Sequence, residues 1–149
     1  MMAFYASGDP TSEAWKTGVV TLVDQVRDAL SDDLRRAPWK GSSNPFAGHC
    51  YVASEAVFHV LGGRAAGITP IHMKHEAQPH WALRFSDGSI VDPTADQFAT
   101  RPNYSMARNA TFLTVAPSQR AVTLIARIKS GWVRPEIRSA RNGGDSNGV

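Results

Sequence analysis

The spacing of apolar residues predicts a helix near the N-terminus, over about residues 13–30. Its apolar positions recur at helical spacing, with charged and amide side chains between them: Val19, Leu22, Val23, Val26 and Leu30. Thr11 or Ser12 can cap the helix, and residues 1–10 before it are typical of a loose arm. A single apolar stripe predicts packing along one face.

A second helix is predicted over residues 50–61, directly after a long loop. The loop, residues 31–49, is rich in proline, glycine and serine and is unusually long for a compact domain. Residues 50–61 contain no glycine or proline, and Gly62 and Gly63 follow them, as at many helix C-termini. The chain therefore leaves a loop and enters a helix at Cys50.

The middle of the chain alternates between apolar and polar residues, which predicts strands. Residues 68–74, 79–85 and 89–92 fit this pattern, with Ser86-Asp87-Gly88 as the turn between the last two. After an irregular stretch, residues 111–115 predict one further strand.

A final helix is predicted from Pro117-Ser118 to about Lys129, with an inner face of Val122, Ile125 and Ile128. The composition of residues 139–149 predicts a disordered tail after a single domain over residues 1–138. Helices and strands follow one another in the order typical of an α+β domain.

Composition narrows the class of protein without selecting a function. The 149-residue chain is 42% hydrophobic and 19% charged, as soluble globular proteins are. Its net charge of +3 is spread along the chain, so we expect no nucleic-acid partner. The single cysteine permits no internal disulfide, and the N-terminal residues do not resemble a signal peptide. We expect a cytoplasmic protein with no membrane segment.

Cys50 is the first candidate for chemistry. A thiol at a helix N-terminus lies at the positive end of the helix dipole, beside unpaired backbone N–H groups. Both favour the reactive thiolate, and the N–H groups can also hold an oxyanion. Gly48, two residues earlier, would let a substrate backbone approach. The alternative is a buried structural cysteine.

His80 and Asp92 are the candidate partners of Cys50. A three-residue turn with Gly88 in the left-handed conformation pairs Leu83 with Val91 and puts Asp92 on the face that carries His80. A two-residue turn would shift the register by one residue and separate the two side chains. The first register matches apolar with apolar residues, so we predict that Asp92 orients His80 and that His80 serves Cys50 as acid and base.

Three further residues are candidate oxyanion or substrate contacts. Asn44, six residues before Cys50, could offer its side-chain amide, or it could be a turn residue before Pro45. His49 and Trp81 are the sequence neighbours of Cys50 and His80. The remaining histidines are candidate metal ligands, but His72 and His75 would face opposite sides of a strand. We therefore expect no metal ion and no cofactor.

These residues resemble the papain-like and transglutaminase-like superfamily. Cys50 at a helix start is followed by Pro79-His80-Trp81-Ala82-Leu83 and then by Val91-Asp92-Pro93-Thr94. The resemblance covers residues 44–98 and implies a cysteine-bearing helix packed on an antiparallel sheet. It also implies that Asn44 corresponds to the oxyanion donor of papain-like enzymes, which usually carry glutamine there. Small size and unusual composition are similar to those of phage accessory proteins.

The expected function is acyl transfer through a thioester, most simply the hydrolysis of an amide, isopeptide or ester bond by a peptidase, amidase or deamidase. The substrate would be a protein, a peptide or a small amide. An amine acceptor would give a transglutaminase-type or acetyltransferase-type enzyme instead. The same residues are also compatible with a non-catalytic binding or inhibitor protein on the same fold, and with a metal-dependent hydrolase.

Overall fold

The computed structural model describes residues 13–44 and 46–147 and has four α-helices and four strands within them. The helices are α1 (Glu13–Ala29), α2 (Cys50–Val60), α3 (Gln119–Ser130) and α4 (Pro135–Asn147). The strands are β1 (Ile68–His75), β2 (Gln78–Phe85), β3 (Ile90–Val91) and β4 (Arg108–Asn109). The expected N-terminal arm and the capping residues Thr11 and Ser12 lie outside the described residues.

The strands form one antiparallel sheet in the order β3-β2-β1-β4. β1 and β2 are joined by a two-residue turn, Glu76–Ala77, in which both residues have positive φ. β2 pairs with β1 on one side and with β3 on the other, so it is a central strand of the sheet. The fold is therefore α+β, as the sequence predicts.

The β2–β3 hairpin has the predicted register. Leu83 pairs with Val91, and the Phe85 amide donates to the Ser89 carbonyl at 2.8 Å. Gly88 has a φ of +86°, the left-handed conformation that the three-residue turn requires. Since β3 ends at Val91, Asp92 follows the strand directly and is held close to β2.

Helix α2 lies in the middle of the core and is buried on nearly every side. Every residue from Val52 to Phe58 is buried, against α1, α3 and the sheet. A helix that is apolar all round is expected in such a central position. The two polar side chains between Val52 and Phe58 have partners: Ser54 Oγ donates to the Trp81 carbonyl, and the Glu55 carboxylate accepts hydrogen bonds from the amide and hydroxyl of Ser118.

Three details of the C-terminal part differ from the predictions. The fourth strand is Arg108–Asn109 rather than residues 111–115, where Phe112 is buried while Leu113 and Val115 are exposed. The inner face of α3 is Ala121, Leu124 and Ile128, and Val122 is 46% exposed.

The last difference concerns the expected disordered tail. Its residues up to Asn147 continue helix α4, and residues 148–149 lie outside the described part of the chain. Proline at the first position of a helix favours its start. The amide of Arg134 donates to the Asp28 carbonyl and the guanidinium of Arg141 pairs with Asp28 at 3.0 Å, so α4 is tied to α1.

Candidate functional site

Cys50 is the first residue of α2 and opens into a small pocket. Its thiol is free and the residue is 8% exposed. The Ala53 amide donates to the His49 carbonyl at 2.9 Å and closes the first helical turn. The first N–H groups of a helix have no acceptor within it, and the N–H of Cys50 has no hydrogen-bond partner among the described residues. The sulfur therefore lies beside unpaired donors at the positive end of α2.

His80 lies on β2 and is fully buried, and its imidazole contacts Asp92. Nε2 of His80 and Oδ2 of Asp92 are 2.6 Å apart, and the Asp92 side chain is 4% exposed. The Asp92 carboxylate accepts two further hydrogen bonds, from the Tyr104 hydroxyl at 2.7 Å and from the Thr94 amide at 3.2 Å. With three donors around it, the carboxylate is fixed in position.

The imidazole of His80 interacts with both Cys50 and Asp92. Burial opposes its charge, but hydrogen bonding and charge attraction from Asp92, and then from Cys50, outweigh burial and raise the pKa of His80 to about 9. Nε2 is occupied by Asp92, and Nδ1 is buried without a hydrogen bond of standard geometry to any described atom. Nδ1 is therefore the nitrogen available to the sulfur. The structure thus places the His80 imidazole in contact with Asp92 and close enough to Cys50 to interact with it.

The pocket beside Cys50 has a volume of about 170 Å³, and three aromatic residues form part of its walls. Trp81 is one of these walls; it lies edge-to-face with Tyr51 at 5.0 Å and stacks on Phe112 at 5.4 Å. The full lining is Trp39, Gly48, Cys50, Tyr51, Pro79, Trp81 and Gln97.

His49 and Asn44 are not placed as predicted. His49 is fully buried, does not line the pocket and has Nε2 3.0 Å from the Ser31 carbonyl, so it holds the loop to the end of α1. Asn44 Oδ1 accepts from the Phe46 amide at 3.0 Å, and its Nδ2 donates to the Gln97 carbonyl at 3.1 Å. The Asn44 amide is thus engaged in a turn and a loop contact, and the oxyanion prediction is corrected.

Gly48 also has a different role from the expected one. Its φ is +76°, and a Cβ added to it would lie 2.3 Å from Cβ of Trp39. Trp39, not a substrate, occupies the space above this glycine. The absent side chain lets the indole pack against the loop and form one wall of the pocket.

Replacement of Gly48 by alanine should lower the free energy of unfolding by more than the same change at Gly41. Both glycines have positive φ, but nothing lies within 4 Å of a Cβ added at Gly41. The difference between the two variants isolates the clash with Trp39, which we expect to cost about 1–3 kcal/mol. Urea unfolding of both variants measures it, and equal stabilities would contradict the packing role of Trp39.

Sequence reasoning missed the contributions of Tyr104 and Gln97. Tyr104 is in a short 3₁₀ helix, Tyr104–Met106, and Gln97 ends another, Ala95–Gln97. Both segments are irregular, so no periodicity marks them. Burial and then the hydrogen bond to Asp92 raise the pKa of Tyr104 well above its ordinary value, so its hydroxyl remains a donor.

The other histidines do not join this site through a metal ion. Within residues 13–44 and 46–147 no group of three or more His, Cys, Asp and Glu side chains could hold one. His72 packs against Trp81 at 5.0 Å between ring centroids, and His75 Nε2 lies 2.9 Å from the Thr100 hydroxyl.

Comparisons with known proteins identify the family. None of the described helices has the length and apolar character needed to cross a membrane. No curated protein and no solved structure matches the chain. One family model, described as YunG protein, matches residues 21–129, which include Cys50, His80 and Asp92. Because the match spans more than half of its length, the chain belongs to the YunG family.

Proposed function

We propose that this protein is a cysteine-dependent acyl-transfer enzyme that hydrolyses an amide, isopeptide or ester bond through a thioester on Cys50. The observation that carries the proposal is the position of the His80 imidazole, which interacts with the Cys50 thiol and holds Asp92 at 2.6 Å. A helix bearing Cys50, packed on an antiparallel sheet bearing His80, also suits the papain-like and transglutaminase-like architecture.

The proposed reaction has two steps. Cys50 Sγ, as the thiolate, adds to the substrate carbonyl carbon, and the protonated Nδ1 of His80 gives its proton to the departing nitrogen or oxygen. The second step reverses these roles, with Nδ1 taking a proton from water as the water oxygen attacks the thioester. The C–S bond then breaks and Cys50 is restored. Asp92 holds the imidazole through Nε2 in both steps and stabilises its charge.

The size of the pocket restricts the proposed substrate. Pockets that enclose a whole small ligand measure roughly 300–1,000 Å³. The pocket at Cys50 is about 170 Å³ and is lined by Trp39, Tyr51 and Trp81. We therefore propose that it admits a short, unbranched acyl group or an extended peptide segment, with the remainder of a protein, peptide or small-amide substrate outside. Water as acceptor needs no second site, which favours hydrolysis over amine acylation.

Intact-mass spectrometry with a panel of acyl donors tests the proposal. The panel pairs acetyl, glycyl and branched pivaloyl aryl esters with the corresponding amides. The chain has one cysteine, so a mass increase of one acyl group that hydroxylamine removes reports a thioester on Cys50. We expect labelling by the unbranched donors and little by the pivaloyl ester. The absence of a thioester with every donor would contradict the proposed function.

The pH dependence of turnover should show the ionisation of His80. Its pKa of about 9 predicts that kcat/KM falls as the pH rises through that value, because the imidazolium then loses the proton needed by the leaving group. Asp92→Asn removes the charge that stabilises the imidazolium, so this fall should move to lower pH by about one to three units.

Asp96→Asn is the matched control for the Asp92 variant. Asp96 is four residues further along the chain, is largely exposed and pairs with Arg27 rather than His80. Its replacement should leave the pH at which kcat/KM falls close to the value for the unsubstituted enzyme. Equal shifts in the two variants would argue against a specific role for Asp92.

A further inference from the structure

One oxygen of the Asp92 carboxylate, Oδ2, accepts hydrogen bonds from two side chains at once. Nε2 of His80 lies 2.6 Å from Oδ2, and the hydroxyl oxygen of Tyr104 lies 2.7 Å from it, while the other carboxylate oxygen accepts from the Thr94 amide. Two donors on one oxygen share its negative charge, so the strength of each hydrogen bond depends on the other. The contact between Asp92 and His80 therefore depends on Tyr104.

The side chain of Tyr104 also lies between Asp92 and another pocket. This pocket has a volume of about 480 Å³, and the residues that line it include Tyr104, Phe98, Arg101 and Asp92 itself. It shares no lining residue with the pocket at Cys50, so the two pockets are distinct. Although Asp92 borders the larger pocket, its side chain is only 4% exposed. The ring of Tyr104, whose hydroxyl contacts the carboxylate, therefore helps to cover it.

The Tyr104 hydroxyl remains a donor while His80 titrates. Burial, and then the hydrogen bond to Asp92, raise the pKa of Tyr104 well above its ordinary value. The other titratable groups that interact with His80 are Cys50 from α2 and His72 from β1. Burial, and then the charge of His80, lower the pKa of His72, so His72 ionises at a lower pH than His80. A change in the pKa of His80 on replacement of Tyr104 therefore reports on the carboxylate between them.

We infer that Tyr104 is a positioning residue whose hydroxyl holds Asp92 in place and limits the attraction of the carboxylate for the His80 proton. The effect of this contact on catalysis rests on the proposed function. With the hydroxyl present, Asp92 still orients the imidazole through Nε2, but the imidazolium gives its Nδ1 proton to the leaving group more readily than it would beside an unshared carboxylate. The ring of Tyr104 has the opposite effect on the pair, because it keeps out water that would screen the attraction.

Tyr104→Phe and Tyr104→Ala separate the hydroxyl from the ring. Phenylalanine keeps the ring and removes one donor from Oδ2, so the pKa of His80 measured by NMR should rise by about 0.5–1 pH unit. Alanine also removes the ring and opens Asp92 to water, so the pKa of His80 should fall towards its ordinary value. The pH at which kcat/KM falls should move in the same direction as the pKa in each variant. At pH 7, Tyr104→Phe should lower kcat about three- to tenfold with little change in KM, because the imidazole is held less firmly.

Met106→Ala is the control for both variants. Met106 is in the same short 3₁₀ helix as Tyr104 and is 71% exposed, so its replacement should change neither the pKa of His80 nor kcat. If Tyr104→Phe leaves the pKa of His80 unchanged, or lowers it as Tyr104→Ala does, the hydroxyl has no such role and the inference is overturned. If the two shifts are opposite in sign but no acyl donor forms a thioester on the unsubstituted protein, the proposed function fails and the effect of Tyr104 on His80 stands.

Discussion

Replacement of Cys50 by alanine should abolish acyl transfer, with kcat/KM falling by about 10⁴-fold or more. No other thiol is present to replace it, and the N–H groups of α2 and the pocket walls remain without a nucleophile. Cys50→Ser should be nearly as inactive, since a hydroxyl gives up its proton to His80 far less readily than a thiol. Steady-state hydrolysis of the best acyl donor measures both effects.

The Cys50 variants need a test of folding, because the residue is only 8% exposed. Loss of one sulfur should cost less than about 2 kcal/mol of unfolding free energy, which urea denaturation reports. Ser43→Ala, which removes an exposed hydroxyl from the same loop, should retain full activity. A Cys50→Ala protein that is folded and keeps turnover within tenfold would show that the thiol is not the nucleophile. A binding or inhibitor protein would then be the better interpretation.

Replacement of His80 by glutamine should lower kcat/KM by about 10²- to 10⁴-fold, the usual contribution of a positioned acid and base. Glutamine can still accept or donate one hydrogen bond near Asp92, but it cannot carry a proton between Cys50 and the leaving group. Alkylation of Cys50 at neutral pH should also slow, because the sulfur loses the interaction with the His80 imidazole. Quenched time-course assays measure the rate of alkylation by iodoacetamide and the rate of acyl transfer for each variant.

His59→Gln is the matched control for the His80 variant. His59 is on α2, the same helix as Cys50, but near its other end. Burial lowers the pKa of His59, and Glu55 opposes this shift; Cys50 is not among the groups that shift it. Its replacement should change neither rate by more than a few fold. Similar losses in both variants would point to general destabilisation rather than to the chemistry of His80.

The contact between His80 and Asp92 can be predicted because it is local. A single turn, Ser86-Asp87-Gly88, sets the register of two strands, and matching Leu83 with Val91 selects that turn. The helix start at Cys50 likewise follows from the change in glycine and proline content. These features depend on neighbouring residues, which short-range patterns describe well.

The rest of the site depends on contacts between loops that no periodicity constrains. Asn44 meets Gln97 across 53 positions of sequence, and Tyr104 reaches Asp92 from an irregular segment. The packing of Trp39 over Gly48 also follows from the path of the long loop. The distance of Asn44 from Cys50 along the chain suggests an oxyanion role, but this distance does not fix the direction in which a side chain points.

The inner face of α3 shows a limit of pattern reading even within a regular helix. Val122, Ile125 and Ile128 are evenly spaced by three residues, but each step of three falls about 60° short of a full turn. Such a stripe drifts around the helix, and the buried residues instead mix steps of three and four: Ala121, Leu124 and Ile128. Because Ala121 is small, hydropathy alone does not mark its position as part of the core.

The ionisation of His80 tests the central claim most directly, since catalysis at this site requires its imidazole to be coupled to the thiol of Cys50. Nitrogen-15 NMR titration of the His80 ring should give a pKa of about 9 in the unsubstituted protein and a lower value in Cys50→Ala, because Cys50 is one of the groups that raise it. A His80 pKa that is the same in both proteins, or that lies at or below the ordinary 6.5 in the unsubstituted one, would contradict that coupling.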